Sequence, residues 1–155
     1  MPGENYLTSS GAKKFREELE RLKGPVRDAL SARLRAAIQQ GDLSENADYT
    51  TAKEEQAFVE GRILELEMML KDIIIIDDLV HDNEVVQIGS KVTLKEMGGE
   101  LETYVLVGPQ EANPLNGMIS YESPIGQALL DHRKGEKIKI STPQGDVELL
   151  IISIE

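Results

Sequence analysis

The stretch Gly41-Asp42-Leu43-Ser44-Glu45-Asn46-Ala47-Asp48-Tyr49 decides how the first half of this chain folds. It separates two long helix-forming segments, and a break of a few residues at 41–44 sends the second helix back along the first. Upstream, Thr8-Ser9-Ser10 supplies hydroxyls suited to a helix start, and Phe15, Leu19, Leu22, Val26, Leu30 and Leu34 recur at spacings of four and three. Gly24-Pro25 interrupts that pattern. Proline removes a backbone donor and crowds the preceding turn, so a kink or two abutting helices is expected there. Downstream, Tyr49, Ala52, Gln56, Val59, Ile63, Leu66, Leu70 and Ile73 alternate spacings of three and four, which is a heptad seam. The prediction is an antiparallel coiled-coil hairpin whose arms, of roughly 30 residues, reach about 45 Å, with 41–49 at the tip.

The helical period ends at the four isoleucines Ile73–Ile76 and Asp77-Asp78, and alternation takes over beyond them. A domain boundary is therefore expected near residue 78, dividing a finger (1–78) from a second domain (79–155). Strand candidates are Lys91–Lys95, Leu101–Val107, Gly117–Ser120, Lys137–Ser141 and Val147–Ser153. Met97-Gly98-Gly99-Glu100 and Pro143-Gln144-Gly145-Asp146 carry the residues that tight hairpins need. Ser123-Pro124-Ile125-Gly126-Gln127-Ala128-Leu129-Leu130 reads as a short helix with a serine cap and proline at its first position. The fold class is α+β: a helical hairpin, then a small antiparallel sheet with one short helix.

Composition narrows the function. The chain has no cysteine, which excludes disulfides, a thiolate zinc site and a cysteine nucleophile and suits a reducing compartment. The N-terminal residues carry neither a basic nor an apolar segment, and no apolar run approaches the ~20 residues of a bilayer span, so a cytoplasmic protein without a membrane partner is expected. A net charge of −11 argues against free, nonspecific binding to nucleic acid. That average hides an asymmetry: residues 13–35 hold eight Lys or Arg against four acids, whereas the tip and the returning arm are acidic.

At the tip, Asp42 and Glu45 are three residues apart, as are Glu45 and Asp48. If helix begins near residue 43, these carboxylates fall close to one face and offer hard oxygen ligands to Mg²⁺, an ion that takes only one or two protein carboxylates and keeps several waters. The same spacing is also that of a capping box, and acids in a first turn favour the helix dipole. Both readings stay open, and one side chain can serve both. A complete active site is harder to build. His81 and His132 are isolated in polar surroundings, and neither a nucleophile–base pair nor a glycine-rich phosphate loop can be assembled around the tip. Two exposed carboxylates lack the walls that exclude water and position substrate, where most catalytic stabilisation arises. A tip of this kind must work in a site built by another molecule.

The tip motif, continued by Ala52-Lys53-Glu54-Glu55-Gln56 and Glu60-Gly61-Arg62-Ile63, closely resembles the bacterial transcript cleavage factors of the Gre family, GreA type. The likeness extends over essentially the whole chain. Leu7-Thr8 with Gly11-Ala12-Lys13-Lys14-Phe15-Arg16-Glu17-Glu18-Leu19 is similar to the family's opening helix, and Ser123–Leu130 with Thr142–Glu148 to its C-terminal domain. The resemblance implies a finger that enters the secondary channel of bacterial RNA polymerase while an FKBP-like domain, 79–155, docks at the channel rim, with Ser123, Pro124 and Ile125 as docking candidates. It implies that Asp42 and Glu45 help hold a catalytic Mg²⁺ supplied at the polymerase active site, that none is held stably by the isolated chain, and that the polymerase itself then cleaves backtracked RNA. Ser44, Asn46 and Asp48 become tip contacts, with helix-start hydrogen bonding as the alternative for Ser44 and Asn46. Arg33, Arg35 and Lys53 become candidates for contact with the RNA 3′ end, against the alternative of a solvated helix face. Ile38-Gln39-Gln40 puts no charge immediately before the tip, and by analogy a small basic patch implies short cleavage products. The factor is expected to act as a monomer and not as an enzyme in its own right.

Three rivals remain in view. A non-catalytic, channel-binding inhibitor of the same architecture exists among Gre relatives, and the intact Asp42 and Glu45 pair speaks for cleavage instead. A peptidyl-prolyl isomerase would need an aromatic-lined pocket, and residues 79–155 hold only Tyr104 and Tyr121 with no Phe or Trp. A plain coiled-coil adaptor leaves the acidic tip unexplained beyond capping.

Overall fold

The computed structural model describes residues 5–41, 46–79 and 82–155. Their contacts form two compact units, one of Ala12–Asp72 and one joining the chain up to Gly11 with Ile73–Glu155.

The first unit is the expected helical hairpin. Helix α1 (Ser9–Arg21) runs into a π-helical turn (Leu22–Val26) and then α2 (Arg27–Gln39); α3 (Ala47–Met69) returns and packs on α2. The π turn contains Gly24-Pro25. A wider turn is a common way for a helix to absorb a missing donor without ending, and here helix continues on both sides of the proline. The core joins Leu22 and Leu30 to Val59, Ile63, Leu66 and Met69, with Phe15, Leu19 and Val26 packed against it. Towards the tip Leu34, Ala37 and Ala52 are buried as well. Of the expected seam, Ala52, Val59, Ile63 and Leu66 are buried and Tyr49, Gln56 and Leu70 are half-buried. Met69 takes the inward place, because helix ends there with Leu70 as its C-cap. Ile73 leaves the seam altogether and enters a strand.

Charge complements the core. Arg27 makes two hydrogen bonds of 2.8 Å to Glu60, Arg33 lies 2.5 Å from Glu55 and Lys23 3.4 Å from Glu67, so cations of the first arm meet acids of the second. In the other direction Arg62 holds Glu18 through bonds of 2.8 and 3.1 Å. Solvent screens the exposed pairs among these, so they chiefly fix register.

The second unit begins with β1 (Asn5–Leu7), which pairs in parallel with β2 (Ile73–Ile75). The expected boundary near residue 78 lies inside this unit. The isoleucine run that closes the helical pattern is already strand, and its partner comes from before α1. Thr8 caps α1 by accepting from Gly11 N at 3.0 Å, and its own N–H and hydroxyl donate to Glu111 at 2.7 and 2.5 Å. A Cβ at Gly11 would fall 2.0 Å from Glu111 Oε1, so a side chain there would push the Glu111 carboxylate off Thr8.

The remaining strands are β3 (Lys91–Glu96), β4 (Leu101–Val107), β5 (Met118–Ser120), β6 (Lys137–Thr142) and β7 (Gly145–Ile154), in the order β5-β4-β3-β7-β6. All five sequence-read strands are present. One pairing departs from the antiparallel expectation: β5 runs parallel to β4, because the chain between them crosses over through two 3₁₀ turns rather than a hairpin. Helix α4 (Pro124–Leu129) covers one face, where Val92, Leu94, Leu106, Leu129, Ile138 and Ile151 form the centre of the core. No helix among the described residues is long and apolar enough to cross a membrane.

Candidate functional site

The geometry around the tip starts from how α2 stops. The N–H of Gln40 bonds back to Ala37 O at 3.2 Å and that of Gly41 to Ile38 O at 3.3 Å, and Gly41 takes φ = 109°, a conformation open to glycine. Helix α3 starts at Ala47, and its N-cap is Asn46. Asn46 Oδ1 accepts from Tyr49 N at 3.1 Å, and Asn46 Nδ2 donates to Ala37 O at 2.7 Å. A single amide therefore caps one helix and binds it to the last turn of the other. An aspartate could do the first but, lacking a donor, not the second.

This corrects two expectations. Helix α3 begins at Ala47, not near residue 43, and of the three acids read as sharing its face Asp48 alone lies within it. The cap of α3 is Asn46, not Asp42, and the α3 start has no need of the capping box read from Asp42 and Glu45. Asp42, Ser44 and Glu45 themselves lie outside the described residues, as does His81. Among the described residues no group of three or more His, Asp or Glu is arranged to hold a metal ion.

Asp48 is exposed in the first turn of α3, where a carboxylate favours the helix dipole. It borders a cavity of about 210 Å³ together with Arg33, Ala36, Ala37 and Gln40. Of the three candidate RNA-contacting cations, Arg33 is tied to Glu55, whereas Arg35 reaches only Ser31 O of its own helix at 3.4 Å. Lys53 sits 6.0 Å from the Tyr49 ring centre and 3.3 Å from Gln56 Oε1. These cations do not converge into one patch through contacts with each other. Sequence reasoning passed over Gln40 and the second bond of Asn46; an asparagine directly before the first apolar residue of a helical period was the available signal.

In the second unit Ser123 Oγ accepts from Gly126 N at 3.1 Å and donates to Ser120 O at 2.7 Å, so it is the cap of α4. Pro124 is exposed at the first helical position and Ile125 packs half-buried on the core. Gly126 is required by a close approach: a Cβ would lie 2.1 Å from Ser120 O. A separate concavity of about 310 Å³, bordered by residues such as Lys95, Met97, Lys137 and Leu149, has no aromatic side chain in its lining.

Comparison with known proteins decides the family. The family model described as "Transcription elongation factor, N-terminal" matches residues 5–75, and that described as "Transcription elongation factor, GreA/GreB, C-term" matches residues 81–155. The chain belongs to the GreA/GreB family of transcription elongation factors. It is 45% identical over 150 residues to transcription elongation factor GreA of Bacillus cytotoxicus, covering 96% of this chain and 95% of that protein. It is 43% identical to GreA of Oenococcus oeni over 151 residues, with 95% and 93% covered. Among solved structures, GreA factor homolog 1 (Gfh1) of Thermus thermophilus is 32% identical with a TM-score of 0.44, covering 98% of this chain and 99% of that one. GreA/GreB from Nitrosomonas europaea is 20% identical with a TM-score of 0.42, over 97% of both chains. As a GreA/GreB member the chain is a GreA-type elongation factor, and its acidic stretch is the connection between α2 and α3.

Proposed function

We propose that this factor works on bacterial RNA polymerase in the cytoplasm, as a single chain, and stimulates the polymerase's own cleavage of backtracked RNA. The helical hairpin enters the secondary channel and carries residues 42–45 to the active centre, while the sheet-bearing unit docks at the rim through the surface around Ser123, Pro124 and Ile125. Asp42 and Glu45 contribute carboxylate oxygens to a Mg²⁺ ion held mainly by the polymerase. A second metal at such a centre stabilises the attacking and leaving oxygens of an in-line phosphoryl displacement. The factor's own residues orient the attacking water and favour its deprotonated form; the bond broken is the RNA phosphodiester, and a new 3′ hydroxyl remains for extension.

The observation that carries this reading is Asn46. Because the amide of Asn46 both caps α3 and ties it to Ala37 O, the start of α3 is held without help from Asp42. The start of α3 thus makes no demand on the acids at 42 and 45, which supports a ligand role for them.

The test is a stalled, backtracked polymerase complex treated with wild type, Asp42→Asn or Glu45→Gln. Both variants should bind and fail to shorten the RNA. Full cleavage by both would remove the metal role, and failure of wild type to cleave while binding tightly would mark a channel-occupying inhibitor. Cleavage of naked RNA by the purified factor would overturn the borrowed site.

A further inference from the structure

We propose that the cavity beside the tip is a nucleobase slot that selects guanine at the extruded RNA 3′ end, an inference resting on the reading above, which brings that end to the tip. The cavity measures about 210 Å³ and is bordered by Arg33, Ala36, Ala37, Gln40 and Asp48. Ala36 and Ala37 offer only backbone and methyl groups, which leaves space for a flat ring. Arg33 lies on α2 and Gln40 is its C-cap, so the two polar groups are set about 10 Å apart along the axis, on either side of the alanines.

The polar rim matches one base. Guanine presents adjacent N1–H and N2–H donors on one edge and the O6 and N7 acceptors on the other. A carboxylate such as Asp48 accepts from the donor edge; a guanidinium such as Arg33 donates to O6 and N7, the commonest specific contact to guanine. Arg33 spends a donor on Glu55 at 2.5 Å, which orients the side chain while leaving further N–H groups for a ligand. The Gln40 amide can serve either edge. Adenine lacks the paired donors, and neither pyrimidine carries adjacent N–H donors on one edge with two acceptors on the other. The guanidinium in the same lining disfavours a metal ion as occupant. Single-stranded RNA is read in this manner, by exposed base edges lying against protein surface.

The experiment uses four backtracked polymerase complexes that differ only in the extruded 3′ nucleotide. Wild type should cleave the G-ended complex fastest. Asp48→Asn, an exposed substitution, should lower the ratio of G-ended to C-ended cleavage by about tenfold, and Gln40→Ala should lower it less. Equal rates at all four ends with wild type, or a uniform slowing by Asp48→Asn that leaves the ratio unchanged, would overturn the slot while leaving the cleavage role standing. A wild type that cleaves none of the four would remove both.

Discussion

Asn46 illustrates how one side chain can settle what a motif means. Asn46→Ala removes an acceptor from α3 and a donor from Ala37 O, and should lower the stability of the helical unit by about 1–2 kcal/mol. Asn46→Asp should restore part of that loss, since the acceptor for Tyr49 N returns and the donor to Ala37 O does not. Urea unfolding of the three proteins, followed by circular dichroism, orders them; equal stabilities would show that the bond across the hairpin contributes nothing. Glu18 gives a pH-dependent counterpart. Its hydrogen bonds to Arg62 hold its carboxyl below the ordinary value of 4.5. A depressed folded pKa means that stability is fully present above 4.5 and fades as pH falls through the folded value. Glu18→Gln should flatten that part of an acid unfolding curve. The sequence left the helix start open between Asp42 with Glu45 and Asn46 with Tyr49, which offer the same spacing, and the structure makes Asn46 the cap of α3. Its bond to Ala37 O was not readable from spacing.

Elements were legible where a period ran long. The α3 seam and the strands β3, β4, β6 and β7 follow directly from alternation in the residues, and α4 from Ser123-Pro124. The inward turn of Met69 in place of Leu70 was not readable, since it depends on where helix stops. The strands β1 and β2, of three residues each, escaped because so short a run carries no period. Helix α3 also exposes apolar residues, with Phe58 at 77% exposure against 0% for Leu66. Leu66→Ala should therefore cost about 2–5 kcal/mol, while Phe58→Ala should stay within about 0.5 kcal/mol. Thermal melts of the two variants would reverse this assignment of faces if Phe58→Ala proved the more damaging.

Across the whole molecule the local basic and acidic arms largely answer each other. Lys23 and Arg27 are engaged by Glu67 and Glu60, so that part of the cationic first arm is less available to RNA than its sequence suggests. The boundary read near residue 78 falls between the two family matches, 5–75 and 81–155, while by contacts the sheet-bearing unit also takes in the strands on either side of the finger. Tyr6 and Leu7 are buried in the sheet-bearing unit, with Tyr6 edge-on to Tyr121 at 5.7 Å and Gly108 pressed against Tyr6 O. A fragment of residues 79–155 lacks them and should unfold at lower urea than the same unit in the full chain. An unchanged midpoint would mean that β1 and β2 are dispensable.

The parallel pairing of β1 with β2 also has a consequence for how such factors diversify. Chain enters the helical unit from one strand and leaves it into the hydrogen-bonded neighbour, about 4.8 Å away. A finger with a longer arm, another tip or a different charge pattern can be exchanged between Gly11 and Ile73 as a cassette, because the two junctions stay side by side whatever lies between them.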